Sequence, residues 1–211
     1  MTYEGKTYQF ETRLAGRFNI YNTLGAIGAA LSEGISMETI AAAMKTFHSV
    51  PGRFELIDEG QSFTVVVDYA HTPDGLEKIL TTAQEITKGC ILVVFGCGGD
   101  RDKMKRPIMG RIAARYADVA IVTSDNPRTE DPETIVKEVA AGVEEVKAEK
   151  PSLQVEVVVD RRSAIQKAIS LAKGDDIVLI AGKGHEDYQI LKDKTIHFDD
   201  REEARKALKQ A

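Results

Sequence analysis

The residues best suited to chemistry lie in four polar clusters, and each cluster directly follows a short run of β-branched and other apolar residues. The clusters occupy positions 68–74, 96–102, 124–128 and 182–186. If the runs are parallel strands of one sheet, the clusters meet at its carboxyl edge, where open α/β folds bind their ligands. The spacing therefore predicts a single site that is built from all four clusters.

The side chains in these clusters suit the recognition of an amino acid. Arg101 and Arg128 carry guanidinium groups, whose planar N–H donors match a carboxylate in a bidentate manner. Glu186, close to Gly182, offers a carboxylate that accepts hydrogen bonds from an ammonium group. Arginines that bind a carboxylate, together with a glutamate that binds an amine, predict a receptor for an amino acid.

Ordinary structural explanations stay open for the same clusters. Asp125 and Asn126 add an acceptor and a mixed donor and acceptor beside the arginine, but they also suit a simple Asx-Pro turn. The charges at 100–106 suit a solvated surface as well as a ligand, and the glycines at 96–99 suit a plain strand-to-helix turn. The convergence of four clusters favours the ligand site.

Several common functional motifs are absent from the 211 residues. The glycine-rich turn at 96–99 lacks the GxGxxG spacing of dinucleotide-binding turns, and no GxxxxGK[ST] phosphate-binding loop occurs. Cys90 and Cys97 form no CxxC pair, so we expect neither a structural metal site nor a disulfide framework. No residue is predicted to be catalytic, and no general-base role is assigned to the histidines His48, His71, His185 and His197.

The elements that must position the clusters follow from hydrophobic patterning. Strands are predicted at 63–67, 90–95, 119–123, 155–159 and 177–181, and helices at 73–87, 105–116, 132–148 and 161–172. Helix N-caps are expected at Thr72, Asp131, Asp160 and Asp200. Apolar stretches at 188–191 and 195–198 flank a polar turn and predict a hairpin. The fold class is α/β, a mostly parallel sheet with helices on both faces and a C-terminal hairpin.

The first fifty residues have a different pattern of residue types from the rest of the chain, which predicts a separate unit. A short strand-like start is followed by two predicted helices, at 21–32 and 37–47, with Gly34 between them. Val50-Pro51-Gly52 is the most linker-like segment of the chain. The predicted domains are therefore residues 1–50 and 51–211.

Bulk composition limits the classes of partner. The chain is 43% hydrophobic and 29% charged, as in globular domains, and its formal net charge is −5. Excess negative charge argues against nucleic acid or an anionic membrane as the main partner. Residues 1–11 are polar and contain no signal-peptide stretch, so a cytoplasmic protein is expected.

Six motifs, in one order over nearly the whole chain, resemble those of the Mur ligases, and among them those of the diaminopimelate-adding (MurE) type. The motifs are GRFNIYN at 16–22, VPGR at 50–53, DYAHTP at 68–73, the segment 96–106, DNPR at 125–128 and GKGHE at 182–186. Met104 is one departure, because many relatives have glycine at that position. The resemblance implies an ATP-dependent ligase of peptidoglycan synthesis.

The resemblance also implies how the chain relates to a larger enzyme. Such enzymes have a UDP-sugar domain, a central ATPase domain and a carboxy-terminal Rossmann-like domain. Residues 1–50 would then be the tail of the central ATP-binding domain, a small helical remnant, and residues 51–211 the Rossmann-like amino-acid-binding domain. The P-loop and magnesium ligands would lie before Met1. ATP and Mg²⁺ are thus expected in the complete enzyme, and neither is expected to bind tightly to this chain alone.

The same resemblance assigns roles to individual residues. It implies nucleotide contacts for Asn19, Arg53, Asp68, Tyr69 and His71. The Asp-Asn-Pro-Arg motif marks members that use meso-diaminopimelate rather than L-lysine. For that amino acid, the implied binding residues are Arg101, Asp125, Asn126, Arg128, Gly182 and Glu186. Asn126 and Arg128 would bind one carboxylate with help from Arg101, while Gly182 and Glu186 would hold the distal end.

The implied reaction activates a carboxylate of UDP-MurNAc-L-Ala-D-Glu as an acyl phosphate, which the amine of meso-diaminopimelate then attacks. This portion would position the amine, and it would be inactive without the upstream ligase domains. A non-catalytic amino-acid-binding or regulatory module derived from the ligase is the alternative. An intact nicotinamide-linked oxidoreductase is disfavoured by the missing dinucleotide motif.

Overall fold

A computed structural model describes residues 1–12, 14, 16–47 and 49–210. His48, which received no role from the sequence, lies outside the described residues. The chain divides into two compact units, Met1–Val50 and Pro51–Ala211. That residues 1–50 are the tail of a larger ATP-binding domain stays a prediction. None of the helices in the described part of the chain is both long and apolar enough to cross a membrane.

The first unit contains a short hairpin and two helices. Its elements are β1 (Thr2–Tyr3), β2 (Lys6–Thr7), α1 (Arg17–Ser32) and α2 (Met37–Thr46). The first helix begins four residues earlier than predicted, and the second ends one residue earlier. Ser36 caps α2, because its side chain accepts a hydrogen bond from Thr39 N at 3.3 Å. A small core forms from Ile27, Met37 and Ile40.

The second unit carries the four polar clusters. Its elements in chain order are β3 (Glu55–Leu56), β4 (Thr64–Asp68), α3 (Pro73–Ile86), β5 (Ile91–Phe95), α4 (Lys105–Tyr116), β6 (Val119–Val122), α5 (Pro132–Lys147), β7 (Gln154–Val157), α6 (Arg161–Leu171), β8 (Ile177–Ala181), β9 (Tyr188–Ile190), β10 (Thr195–His197) and α7 (Asp200–Leu208). Every predicted strand and helix of this unit is present, with ends shifted by at most two residues. The predicted hairpin is formed by β9 and β10.

The central sheet has the strand order β3-β4-β8-β5-β6-β7. All neighbouring strands are parallel except β3 and β4, which pair antiparallel. This confirms the predicted mostly parallel sheet. The edge strand β3 was not predicted, because two residues are too few to show a period.

Helices cover both faces of the sheet, as predicted. The path from β4 through β5 and β6 to β7 moves mainly in one direction, and right-handed crossovers place α3, α4 and α5 on one face. The return from β7 to β8 places α6 on the opposite face, where it packs against α7. The chain therefore leaves the adjacent strands β5 and β8 toward opposite faces. In open α/β sheets such a switch point leaves a crevice at the carboxyl ends of the strands.

Helix capping follows the sequence with one exception. Thr72, Asp131 and Asp160 each accept a backbone hydrogen bond at the start of a helix, as expected. Asp200 was the wrong choice for the last helix, because Asp199 is the N-cap and accepts from Arg201 N at 2.8 Å. Asp200 instead lies in the first turn of α7, where its fully buried carboxylate pairs with an arginine.

Candidate functional site

All four polar clusters lie at the carboxyl edge of the sheet. In the sheet register, Asp68 at the end of β4 lies opposite Ala181 at the end of β8, and Phe95 at the end of β5 lies opposite Val122 at the end of β6. The loops that follow these strands are therefore neighbours. The convergence predicted from the sequence is confirmed.

Arg128 is held in a constrained position in the loop after β6. Its φ angle of 53° lies in the left-handed region, which non-glycine residues seldom adopt. Its backbone N–H donates to Ile190 O at 3.1 Å, and its Nη1 donates to Gly99 O at 2.9 Å and to Asn126 O at 3.3 Å. Within the described residues, Nε and Nη2 make no hydrogen bond. One edge of the guanidinium is thus available for a carboxylate.

Arg101 is also a neighbour of Gly98. A Cβ placed on Gly98 would be 2.8 Å from Arg128 Nη1 and 3.8 Å from Arg101 Cγ. Arg101 is exposed, and its Nη1 donates to Asp100 O at 2.9 Å. The structure therefore brings the two predicted carboxylate-binding arginines to the same glycine-rich turn.

Glu186 is held through one of its two carboxylate oxygens. Its Oε2 accepts from Asn126 Nδ2 at 3.0 Å and lies 3.2 Å from Lys183 Nζ. Its Oε1 accepts no hydrogen bond from the described part of the chain. The carboxylate is oriented by its neighbours and keeps an acceptor that an ammonium group can use.

Lys183 is the central cation of the site, and no role was predicted for it from the sequence. Its side chain is fully buried, and its Nζ lies 3.2 Å from Asn126 Oδ1 and 3.6 Å from Asp125 Oδ1, besides its contact with Glu186. A buried charge requires partners of this kind. A lysine between two glycines, directly after a fully apolar strand, was the signal that could have identified it.

The remaining predicted residues form the interior of the site. Asn126 is buried, and its Oδ1 accepts from Ile190 N at 2.9 Å in addition to Lys183. Asp125 is also buried, and its Oδ1 has no hydrogen-bond partner among the described residues. Gly182 packs so closely that a Cβ there would lie 3.3 Å from Asp125 Oδ2. Asp125 and Asn126 thus support the loop that carries Glu186.

A network centred on Glu130, which was not predicted from the sequence, joins the loops after β5 and β6. Glu130 accepts from Asp100 N at 2.6 Å and from Arg106 Nη2 at 2.8 Å, and Lys103 Nζ lies 3.1 Å away. The hydrogen bonds from Arg106, above all, and from Asp100 N lower the pKa of Glu130 from 4.5 to about 2. Asp100, which also has a left-handed φ of 53°, binds Thr129 Oγ1 at 2.7 Å. These contacts stabilise the left-handed backbone conformations of Asp100 and Arg128, which are costly for residues other than glycine.

Arg161, which also received no role from the sequence, lies beneath the loops. It is fully buried and donates to both oxygens of Asp200, at 2.8 and 2.7 Å. The same guanidinium donates to Ala181 O at 3.0 Å and Ser124 O at 3.4 Å, at the ends of β8 and β6. A cation in the first turn of a helix opposes the helix dipole, so its position in α6 was a signal that a compensating partner exists.

Three of the predicted nucleotide-binding residues gather at the end of β4. The Arg53 guanidinium lies 4.5 Å from the centre of the Tyr69 ring, which is itself 4.5 Å from the His71 ring. His185, from the GKGHE segment, lies 5.1 Å from the same ring. A partly exposed cation on an aromatic surface fits the phosphate, ribose or base of a nucleotide.

Glycine backbones allow the loops around this aromatic cluster to pack directly. A Cβ on Gly52 would overlap the backbone of Gly184 and His185, and a Cβ on Gly184 would lie 2.7 Å from Tyr69 Cβ. Because Gly184 lies between Lys183 and His185, one short loop contacts both the aromatic cluster and the amino-acid side of the site.

The other two predicted nucleotide residues have different surroundings. Asp68 is buried, and its two oxygens accept from Phe54 N at 2.7 Å and Ala70 N at 2.8 Å. Burial raises the pKa of Asp68, and the two backbone N–H donors oppose that shift. The carboxylate thus orients the loops that carry Arg53 and Tyr69. Asn19 belongs to the first unit, where it is buried and accepts from Asn22 Nδ2 at 3.3 Å.

The part of the chain that the structure describes contains no group of three or more histidine, cysteine, aspartate or glutamate side chains arranged to hold a metal ion. No chemical step is therefore assigned to a metal ion held here. The aromatic cluster, by contrast, fits a nucleotide.

A Rossmann-like sheet with a GKGHE loop and an Asp-Asn-Pro-Arg loop at its carboxyl edge is the arrangement expected of a ligase domain. The family described as "Mur ligase, glutamate ligase domain" matches residues 52–184. The chain belongs to the Mur ligase family.

Two curated relatives of the chain are both named UDP-N-acetylmuramoyl-L-alanyl-D-glutamate–2,6-diaminopimelate ligase. The relative from Clostridium botulinum is 54% identical over 199 residues, which are 93% of this chain and 40% of the relative. That from Geobacillus kaustophilus is 54% identical over 200 residues, with 95% and 40% covered. The resemblance to the MurE type is thus confirmed. The chain spans about two fifths of the length of these relatives.

Solved structures agree with the sequence comparison. A structure of a protein of the same name superposes with a TM-score of 0.73 at 38% identity and covers 98% of this chain and 41% of that one. Escherichia coli FolC in complex with ADP superposes with a TM-score of 0.61 at 21% identity, covering 83% and 38%. The second likeness is one of fold alone.

Proposed function

We propose that this chain is the amino-acid-recognising portion of an ATP-dependent ligase that adds meso-diaminopimelate to UDP-MurNAc-L-Ala-D-Glu. The observation that carries the proposal is the pairing of two unused groups at one sheet edge. These are the outer edge of the Arg128 guanidinium and the Oε1 of Glu186, joined through Asn126. The name of the relatives, which specifies 2,6-diaminopimelate, supports the same substrate.

The proposed substrate has a carboxylate where L-lysine has none. In our proposal, Arg128 binds this carboxylate in a bidentate manner, with assistance from Arg101, which also lies beside Gly98. Glu186 accepts an ammonium group beside Gly182 at the distal end. L-lysine would leave the guanidinium without an anionic partner, so the site would discriminate against it.

The chemical contribution of this portion is proximity. In the complete enzyme, ATP activates the substrate carboxylate as an acyl phosphate. The unprotonated amine nitrogen then forms a bond to the acyl carbon, the bond from that carbon to the phosphate oxygen breaks, inorganic phosphate leaves, and the nitrogen releases one proton to water. The chain holds the amine in place for this attack, which requires orientation rather than a general base. Arg53, Tyr69 and His71 contact the nucleotide in the proposal, and Asp68 orients the loops that carry Arg53 and Tyr69.

In the proposal, ligation requires the upstream domains of the complete enzyme. The 211 residues contain no GxxxxGK[ST] loop, so we expect no ATP hydrolysis or ligation by this chain alone. ATP and Mg²⁺ would act with the upstream ligase domains, in the cytoplasm, where the nucleotide-linked precursor is assembled.

Ligand-induced stabilisation tests the substrate. At ~100 times the dissociation constant, a bound ligand adds about 2.7 kcal/mol, which raises the unfolding midpoint of a chain of this size by roughly 5–10 °C. We expect this rise with meso-diaminopimelate and a clearly smaller one with L-lysine. Arg128→Met should abolish the difference, whereas the exposed Arg115→Met should retain it. Equal shifts with both amino acids would refute the specificity.

Reconstitution tests the reaction. A purified fragment that carries the two upstream domains of a relative would be mixed with this chain, ATP, Mg²⁺ and UDP-MurNAc-L-Ala-D-Glu. Release of ADP that depends on both meso-diaminopimelate and this chain is the expected result. Binding of the amino acid without any such release would favour the non-catalytic module instead.

A further inference from the structure

We infer that Gly98 is a specificity-determining residue, because the space left by its missing side chain is what allows the Arg128 guanidinium to point at the second carboxylate of the ligand. Gly98 itself contacts no ligand atom in this scheme and acts through Arg128. The inference rests on the proposed function, since Arg128 is the group that distinguishes meso-diaminopimelate from L-lysine.

The contact between the two residues is close and specific. A Cβ on Gly98 would lie 2.8 Å from Arg128 Nη1, whereas the next nearest atoms, Asn126 O and Arg101 Cγ, would be at ordinary distances of 3.7 and 3.8 Å. To restore a contact of 3.4 Å, the guanidinium would have to retreat by at least about 0.6 Å. Arg128 is therefore the group that an added methyl would displace.

The displaced guanidinium could not keep its present orientation. Its Nη1 is bound to Gly99 O at 2.9 Å and to Asn126 O at 3.3 Å. Both carbonyls belong to loops that are joined to each other, because Gly99 N donates to Asn126 O at 2.9 Å. The backbone of Arg128 is also held, through Ile190 O. In Gly98→Ala, the Arg128 side chain must then lose at least one of its two Nη1 hydrogen bonds, and the free edge of its guanidinium turns away from its present direction.

The backbone at Gly98 does not itself require glycine. Its φ lies outside the left-handed region, unlike those of Gly182 and Gly184. The neighbouring Gly99 differs, because a Cβ there would overlap the carbonyl oxygen of Pro127, which is backbone and cannot move aside. Gly98→Ala is therefore expected to fold and to change only the end of a flexible side chain.

Titration calorimetry on the full 211-residue chain tests the inference. Gly98→Ala should weaken binding of meso-diaminopimelate by about tenfold or more, the usual cost of losing a charge-assisted hydrogen bond. Binding of L-lysine should stay within about twofold of the wild type. Gly28→Ala, at a helical glycine with no atom within 4 Å of an added Cβ, is the matched control and should change neither affinity.

A double-mutant cycle separates positioning from a general structural effect. In the Arg128→Ala background, Gly98→Ala should have no further effect on the affinity for meso-diaminopimelate, because the displaced group is gone. An equal loss in both backgrounds would overturn the inference. So would a parallel loss of L-lysine binding, or an unchanged affinity of Gly98→Ala for meso-diaminopimelate.

A measurement without ligand distinguishes failure of the inference about Gly98 from failure of the proposed function. Hydrogen bonds from Arg128 Nη1 slow rotation of the guanidinium. Loss of one of them in Gly98→Ala should speed that rotation, so the separate side-chain ¹⁵N–¹H signals of Arg128 should broaden toward an average or shift. They should stay unchanged in Gly28→Ala. Unchanged signals in Gly98→Ala would overturn the inference while the proposed function stands. A wild-type chain that binds neither amino acid would refute the proposed function, and the selectivity role of Gly98 with it.

Discussion

Lys183 offers the most direct test of the site's electrostatics. Lys183→Met keeps the length and much of the volume of the side chain but removes its charge. The side chain is fully buried, and its Nζ lies within 3.6 Å of two carboxylates, those of Asp125 and Glu186. The substitution leaves these anions without their shared cation, in a region where water can replace it only in part.

The size of the effect follows from burial. Removing one partner of a buried ion pair costs about 3–5 kcal/mol. The side chains of Asp125 and Glu186 are 11% and 17% exposed, so water partly solvates them, and we expect the lower end, about 3 kcal/mol. For a chain of this length each kcal/mol lowers the midpoint by about 2–4 °C, which gives a decrease of roughly 6–12 °C.

Differential scanning calorimetry at pH 7 would measure this decrease. Lys192→Met, at an exposed position in the turn of the β9–β10 hairpin, is the matched control and should lie within about 1 °C of the wild type. Adding Glu186→Gln to Lys183→Met should recover part of the loss, because one unpaired anion is removed. If Lys183→Met melts with the control, the buried lysine does not neutralise the site and the electrostatic reasoning is refuted.

Three further predictions concern the residues that support the loops. Arg161→Met leaves Asp200 buried without its partner and should cost about 3–5 kcal/mol in urea unfolding; a loss under about 1 kcal/mol would contradict the buried pair. Because the pKa of Glu130 is lowered from 4.5 to about 2, the stability from its ionised form is present above pH 4.5 and is lost as the pH falls toward 2. Glu130→Gln should therefore reduce the pH dependence of the unfolding midpoint between pH 4.5 and about 2. The exposed Glu149→Gln should keep the pH dependence of the wild type. Gly99→Ala should lower stability by about 1–3 kcal/mol or more, because its Cβ would overlap the Pro127 carbonyl, and wild-type stability would disprove that packing.

Much of the fold was predictable because its signals are local. Buried parallel strands are continuous apolar runs, such as Ile177–Ala181, whose predicted bounds match the structure. A Thr-Pro or Asp-Pro pair marks a helix start within two residues, as at α3 and α5. The short edge strand β3 and the N-cap of α7, Asp199, were not predicted, because neither produces a periodic pattern in the sequence.

Patterns along the chain were enough to predict a mostly parallel sheet, the edge at which the polar clusters meet, and the family, since parallel strands bring their carboxyl ends together whatever the loops contain. Which polar side chains keep a free hydrogen-bonding edge, and which support the loops, follows only from the folded chain. Lys183 meets Asn126 from 57 positions away, and Arg161 meets Asp200 from 39. The pattern of neighbouring residues does not predict pairs that are so far apart in the sequence. A buried charge is stable only where the folded chain supplies its partner.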